Sequence, residues 1–118
     1  MVLNLQLNNR PFNAIKNGTK TIEARVPTSM DNNPYSTLRP GDKLIFENRD
    51  TLENLEATVL AIRHYSDVSA MLEGEDIQCL LSSNSDKDTA IRNFNDYYQY
   101  RENIPLYGIY AISLKMVF

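Results

Sequence analysis

The chain has 118 residues, 42% hydrophobic and 23% charged, with no tryptophan, a length and mixture that predict one globular domain over 1–118 with no room for a second core. Its formal net charge of −3 argues against a general grip on nucleic-acid backbone, which needs a clustered basic excess, but leaves room for a small basic pocket that takes one nucleotide, loop or base. No run approaches the ~20 apolar residues that span a bilayer, so the expected setting is cytoplasmic, without membrane contact.

Val2–Leu7 reads as a strand with Leu3, Leu5 and Leu7 on one face, and its alternation is unlike a signal peptide. Asn8-Asn9-Arg10-Pro11 turns into a short helix, with Asn9 as cap and Phe12 and Ile15 on one side. Gly18 ends that helix and a second strand follows over Lys20–Arg25. A loop over 27–40 is longer than a plain connection needs and is a candidate lid or recognition loop. Arg39-Pro40-Gly41-Asp42 is a strong turn signal before the short strand Lys43–Glu47, and Asn48-Arg49-Asp50 is a second turn.

Leu55–His64 reads as a long strand, with Leu55, Ala57, Val59 and Ala61 on one face and Glu56, Thr58, Leu60 and Ile62 on the other. Ser66-Asp67 caps a predicted helix carrying Val68, Met71 and Leu72, which Gly74 ends; a shorter one follows from Glu75 with Ile77, Leu80 and Leu81. Cys79, the single cysteine, falls in that apolar run and reads as a buried small hydrophobe. With His64 the single histidine, neither a disulfide framework nor a His/Cys metal cage is expected. After a loop over 82–85, a third helix is predicted from Asp86 to about Tyr98, with Ala90, Ile91, Phe94 and Tyr97 or Tyr98 facing inwards. Tyr107–Lys115 closes the chain as a strand. Strands at both ends with helices between them predict an α+β fold whose sheet curls into a small bent barrel with short helices packed around it.

The most informative stretch is Gly18-Thr19-Lys20-Thr21-Ile22-Glu23-Ala24-Arg25. On a strand Glu23 and Arg25 share a face, and a glycine turn swings Lys20 towards them, making a mixed-charge cluster suited to a polar ligand. The competing reading is a solvated edge strand with an incidental ion pair, worth about 0–1 kcal/mol.

Phe12-x-x-Ile15-x-x-Gly18-x-Lys20-Thr21-x-Glu23-x-Arg25, followed by Pro40-Gly41-Asp42 and Leu44-Ile45-Phe46, resembles the signature of the ASCH domain in the PUA-like β-barrel superfamily. Tyr97-Tyr98-Gln99-Tyr100 and Tyr107–Ile112 are similar to the family's tyrosine-rich helix and closing strand. The resemblance implies a bent barrel with a cleft lined by the motif residues, and a neighbourhood of RNA binding or nucleoside chemistry.

Two functions follow as expectations. In the first, the domain binds RNA or a nucleobase-containing small molecule. Arg25 then donates to a phosphate or base edge, Glu23 accepts from a base amino group, and Lys20 neutralises a phosphate or reaches a carbonyl. Tyr98 and Tyr100, or Tyr97, offer stacking faces, with core caps as the alternative; Asn48 and Arg49 read as ordinary turn residues beside the rim. In the second, it is a metal-independent hydrolase of an acylated nucleoside or of RNA, with Lys20 and Glu23 as candidate catalytic groups. Lys20 matches the lysine of relatives that hydrolyse N4-acetylcytidine. This chain departs from those relatives, since Glu23 stands where they carry threonine, and their further glutamate could correspond to Glu73 or Glu75. A third reading is a protein-interaction domain without a ligand pocket. No cofactor or metal is expected in any of the three.

Overall fold

A computed structural model describes residues 1–31, 33–83 and 85–117. Asn32 and Asn84, both expected in loops, lie outside the described residues, as does Phe118. The chain runs β1 (Val2–Leu7), α1 (Asn9–Lys16), β2 (Ile22–Arg25), β3 (Lys43–Asn48), β4 (Asn54–Tyr65), α2 (Val68–Gly74), α3 (Ile77–Leu80), α4 (Lys87–Asn95), α5 (Tyr100–Tyr107) and β5 (Ile109–Met116), with a 3-10 turn at Pro34–Thr37.

The five strands form one sheet in the order β1-β3-β4-β5-β2. β1 runs parallel to β3, and the other neighbours are antiparallel. The sheet curls into a half-barrel with the helices around it, an α+β fold as expected. Its ends are β1 and β2, so these two strands face each other across a seam that no strand ladder closes.

Two apolar cores sit on the two faces of the sheet, and the period-two alternation of strands sorts residues between them. Ile22, Ala24, Val26, Ile109 and Ala111 pack with α2, α4 and α5 residues such as Met71, Phe94 and Ile104. Leu5, Leu7, Leu44, Phe46, Ala57, Val59, Ile112 and Leu114 pack inside the curl with Phe12 and Ile15 of α1 and with Tyr35. Phe12 and Ile15 are the reason α1 docks: a three-residue spacing puts both on one face, and each fully buried apolar side chain contributes about 1.5–3 kcal/mol. Glu23 and Arg25, out of phase with Ile22 and Ala24, turn to the inside of the curl.

Several predicted elements shift. β2 begins at Ile22, so Lys20 precedes the strand and reaches back to it. Asn8 rather than Asn9 holds the cap position of α1. Asp67 caps α2 through the Ala70 N–H. A bulge at Leu60 breaks the alternation of β4 between Val59 and Ala61; it sends Leu60 to solvent and adds twist to the strand that spans the sheet. Cys79 is half-buried at the edge of the helical core.

The predicted third helix stops at Asn95, and Tyr97 and Tyr98 lie beyond its end, exposed rather than turned inwards. Gln99 then takes a left-handed conformation at φ 61° and starts α5. The sequence hid α5 because Pro105 lies within it, and an interior proline normally argues against a helix.

Gly108 makes the reversal from α5 into β5 at φ +72°, and an added Cβ would strike the Tyr65 carbonyl and the His64 ring. Gly18, at φ +81°, has open space around it. Gly18→Ala is therefore expected to cost about 1–2 kcal/mol from the left-handed backbone alone. Gly108→Ala is expected to cost roughly 3 kcal/mol or more, strain and overpacking acting together. Urea denaturation of the two variants checks this, and equal losses would contradict it.

Candidate functional site

Glu23 sits on β2 opposite Ile112 of β5, and Arg25 opposite Tyr110. The Arg25 Nε–H donates to Glu23 Oε2 at 2.9 Å, and its Nη2 donates across the seam to the Gln6 carbonyl of β1 at 3.0 Å. One guanidinium thus links the two edge strands that the backbone leaves unpaired.

Lys20 approaches from the other side. Its Nζ lies 3.4 Å from Glu23 Oε1 and donates to the Ile22 carbonyl at 2.6 Å and to the Leu80 carbonyl at 2.5 Å. Leu80 ends α3, whose orphan carbonyls need donors. The Thr21 N–H bonds the Cys79 carbonyl at 2.9 Å beside it, so this short helix is tied to the start of β2 twice. Two of the three ammonium N–H groups are thus taken by carbonyls, and Glu23 stands beside it as an ion-pair partner.

Lys20 and Glu23 are 6% and 5% exposed, and such buried charges persist only when paired. Burial alone would raise the Glu23 carboxyl; Arg25, then Lys20, outweigh it and hold the group below the ordinary carboxylate range. Burial pulls the Lys20 ammonium below the usual lysine value, opposed by Glu23 and assisted by Arg25. Glu23 holds the Arg25 guanidinium above its ordinary value against its own desolvation.

The trio lies on the floor of a cavity of about 350 Å³ in the seam. β1 and β2 form its sides, the end of α3 and the serines that follow form one wall, and the segment after β2 forms another. That segment is the long loop of the sequence reading. It is fastened by Asp31, which accepts from the Tyr35 hydroxyl at 3.0 Å and from the Thr28 N–H at 3.2 Å. Met30, Tyr97 and Tyr98 stand at the mouth, 78%, 52% and 60% exposed. The Tyr98 hydroxyl shares a 3.2 Å hydrogen bond with Ser29 Oγ.

Tyr100 is placed differently from Tyr98. It is buried at the start of α5, edge-on to Tyr97 at 5.3 Å, and forms cavity wall rather than a free stacking face. Burial raises its hydroxyl pKa, with Arg25 opposing.

Neither Glu73 nor Glu75 lines the cavity. Glu75 is taken by Arg63 at 2.5 and 2.7 Å and by the Tyr65 hydroxyl, and Glu73 pairs with Lys87 at 3.2 Å. His64 bonds the Tyr107 carbonyl at 2.7 Å and likewise lies outside the cavity. Met30 and Arg10 are lining residues that the sequence reading passed over. An exposed methionine in a loop and an arginine in a first turn carry no signal until the seam brings them together.

Among the described residues, no three His, Cys, Asp or Glu side chains are grouped to hold a metal ion, and no helix is long and apolar enough to cross a membrane.

One family model, that of the ASCH domain, matches residues 5–118. No curated protein matches the chain. Among solved structures, hypothetical protein PH0355 superposes with a TM-score of 0.82 at 28% identity, covering 99% of this chain and 100% of that one. Protein PF0455 from Pyrococcus furiosus gives 0.71 at 25% identity, covering 99% and 98%. An ASCH domain from Lactobacillus crispatus gives 0.53 at 13% identity over 98% of this chain and 79% of that one, a likeness of fold.

Glu23→Gln leaves buried Lys20 and part-buried Arg25 without their carboxylate and is expected to destabilise the fold by about 3–5 kcal/mol at pH 7. The pH dependence follows from the direction of the shift. A carboxyl held below its ordinary value of 4.5 stabilises the fold fully above that value, and the contribution is lost as pH falls through the folded value. The gap between parent and Glu23→Gln in urea denaturation should therefore narrow on acidification below about 4.5. A gap that stays constant with pH would contradict the ionic role of Glu23.

Proposed function

The chain belongs to the ASCH domain family, and from that premise and the geometry of the seam we propose that it binds RNA or a nucleotide, taking one base into the cavity above Lys20, Glu23 and Arg25. The observation that carries this reading is the pairing of a charged floor with an aromatic mouth in one hollow of about 350 Å³. Glu23 uses one contact on each oxygen, and a carboxylate has about four acceptor positions, so it retains capacity for a base amino group. Among the described residues, Arg25 uses two of its five N–H donors. The rest are free for a ring nitrogen or carbonyl next to that amino group. A donor fork beside an acceptor, fixed by each other, suits the polar edge of a base.

Tyr98 supplies what the floor lacks. A flat, exposed ring at the mouth offers a stacking face to a neighbouring base, worth about 1–3 kcal/mol. Met30 lies beside it as soft apolar surface. A protein-interaction domain without a pocket would have no use for a hollow with this lining.

Hydrolysis of an acylated nucleoside finds less support. A nucleophilic or basic lysine needs a free lone pair within reach of substrate, whereas Lys20 donates to the Ile22 and Leu80 carbonyls and is ion-paired with Glu23. Loss of the proton would forfeit the ion pair with the buried Glu23 carboxylate. Neither candidate insert glutamate, Glu73 or Glu75, is near enough to complete such a site.

The test is titration of single-stranded RNA oligonucleotides of each base by fluorescence anisotropy. Tyr98→Ala, at an exposed position, is expected to weaken binding about 5- to 100-fold with an unchanged thermal midpoint. Arg25→Lys keeps the charge, loses the fork and is expected to abolish base preference. Absence of binding of both RNA and mononucleotides by the parent would overturn the reading. So would release of acetate from N4-acetylcytidine that Lys20→Ala stops, because that outcome establishes the hydrolase instead.

A further inference from the structure

The cavity concentrates positive charge on a protein that is acidic as a whole. Arg10, Lys20, Arg25 and Arg49 line it against Glu23 and Asp31, so four cations face two carboxylates in a chain whose net charge is −3. The carboxylate charges are also matched within the protein: Glu23 holds the two floor cations, and Asp31 fastens its own loop.

The two floor cations are engaged, but Arg10 and Arg49 are not. Both are exposed at the rim, and among the described residues neither pairs with a carboxylate. They come from separate elements, the first turn of α1 and the β3–β4 turn, and one buried side chain joins these. Asn48, 1% exposed, donates from Nδ2 to Asn9 Oδ1 at 2.9 Å and accepts the Asp50 N–H at 2.9 Å. The Arg49 N–H bonds the Leu7 carbonyl at 2.9 Å, just before α1. The turn carrying Arg49 is thus held against the helix start carrying Arg10, both on the same side of the hollow.

We propose that Arg10 and Arg49 form a phosphate subsite at the cavity rim, so that the preferred ligand is a phosphorylated one: a nucleotide, free or within a single strand, whose phosphate lies on this pair while its base enters the hollow. The inference rests on the base-binding reading above and adds the class of ligand. Planar guanidinium forks match phosphate oxygens in pairs, and an arginine pair with no internal partner loses no ion pair when it takes one. The arrangement also reconciles an acidic chain with an anionic ligand. Local field at a concave site, rather than net charge, steers the approach.

Isothermal titration calorimetry with the four nucleosides, their 5′-monophosphates, a single-stranded trinucleotide and inorganic phosphate tests this. The 5′-monophosphate is expected to bind at least about tenfold more tightly than its nucleoside, which is 1.4 kcal/mol. The Arg10→Ala/Arg49→Ala double variant is expected to erase that difference and leave nucleoside affinity unchanged. Where the trinucleotide exceeds the mononucleotide, the source is a strand; where it does not, a free nucleotide. Equal binding of nucleoside and monophosphate, or a difference that survives in the double variant, overturns the phosphate subsite and leaves base binding intact. Phosphate binding that the double variant loses, with no nucleoside bound at all, upholds the subsite and removes the base reading. No binding of any probe overturns both.

Discussion

Glu23 is a carboxylate with almost no access to water, and it is stable there because it lies between two cations that come from opposite directions. Arg25 brings β1 to it through the Gln6 carbonyl, and Lys20 brings α3 to it through the Leu80 carbonyl. Remove the carboxylate and buried Lys20 and part-buried Arg25 lose the one negative charge they share. Keep it, and three separate parts of the chain meet at one point inside the curl. A buried ionic cluster of this kind adds little net stability over an apolar replacement. What it supplies is position: the strand edges are held at a fixed separation without being zipped together.

That separation makes the cavity. A ladder between β1 and β2 would complete the barrel and fill its interior with side chains, as small barrels do. Here a guanidinium spans the seam instead, so the interior stays open on one side with polar groups on its floor. The walls come from the helical insert and from the segment after β2, and their apolar and aromatic residues keep the floor in a low-dielectric setting where each hydrogen bond counts for more than in water. Lys20 ties the start of β2 to the end of α3 through its bonds to the Ile22 and Leu80 carbonyls. Arg25 and Glu23 keep the unused positions that face the hollow.

The half of the site built from period two was readable in the sequence: Glu23 and Arg25 share a face because alternate residues of a strand do. Their partners were not. The Lys20 ammonium ends on a carbonyl sixty positions away, and nothing local marks Leu80 as the end of a helix four residues long. The strands were largely legible because Leu3, Leu5 and Leu7 or Leu44 and Phe46 repeat at the right interval. The bulge at Leu60 was not, since an added residue in a long apolar strand leaves no compositional mark. Pro105 concealed α5, and with α5 unseen Tyr100 could be grouped with Tyr98; burial separates them into a wall and a mouth. Arg49 read as a turn residue, and the turn is where it lies, but Asn48 folds that turn against α1 and so carries Arg49 to the rim.

The most direct measurement of the central claim is the NMR signal of the Arg25 side-chain Nε–H, which reports on the bond to Glu23 and on the hollow together. In the free protein it should be slow to exchange with water, as a buried donor held by a carboxylate must be. On addition of a bound nucleotide or RNA strand it should shift together with the Glu23 carboxyl and the Tyr98 ring. A rapidly exchanging Nε–H, or ligand-induced shifts confined to the outer surface of β3 and β4, would contradict it.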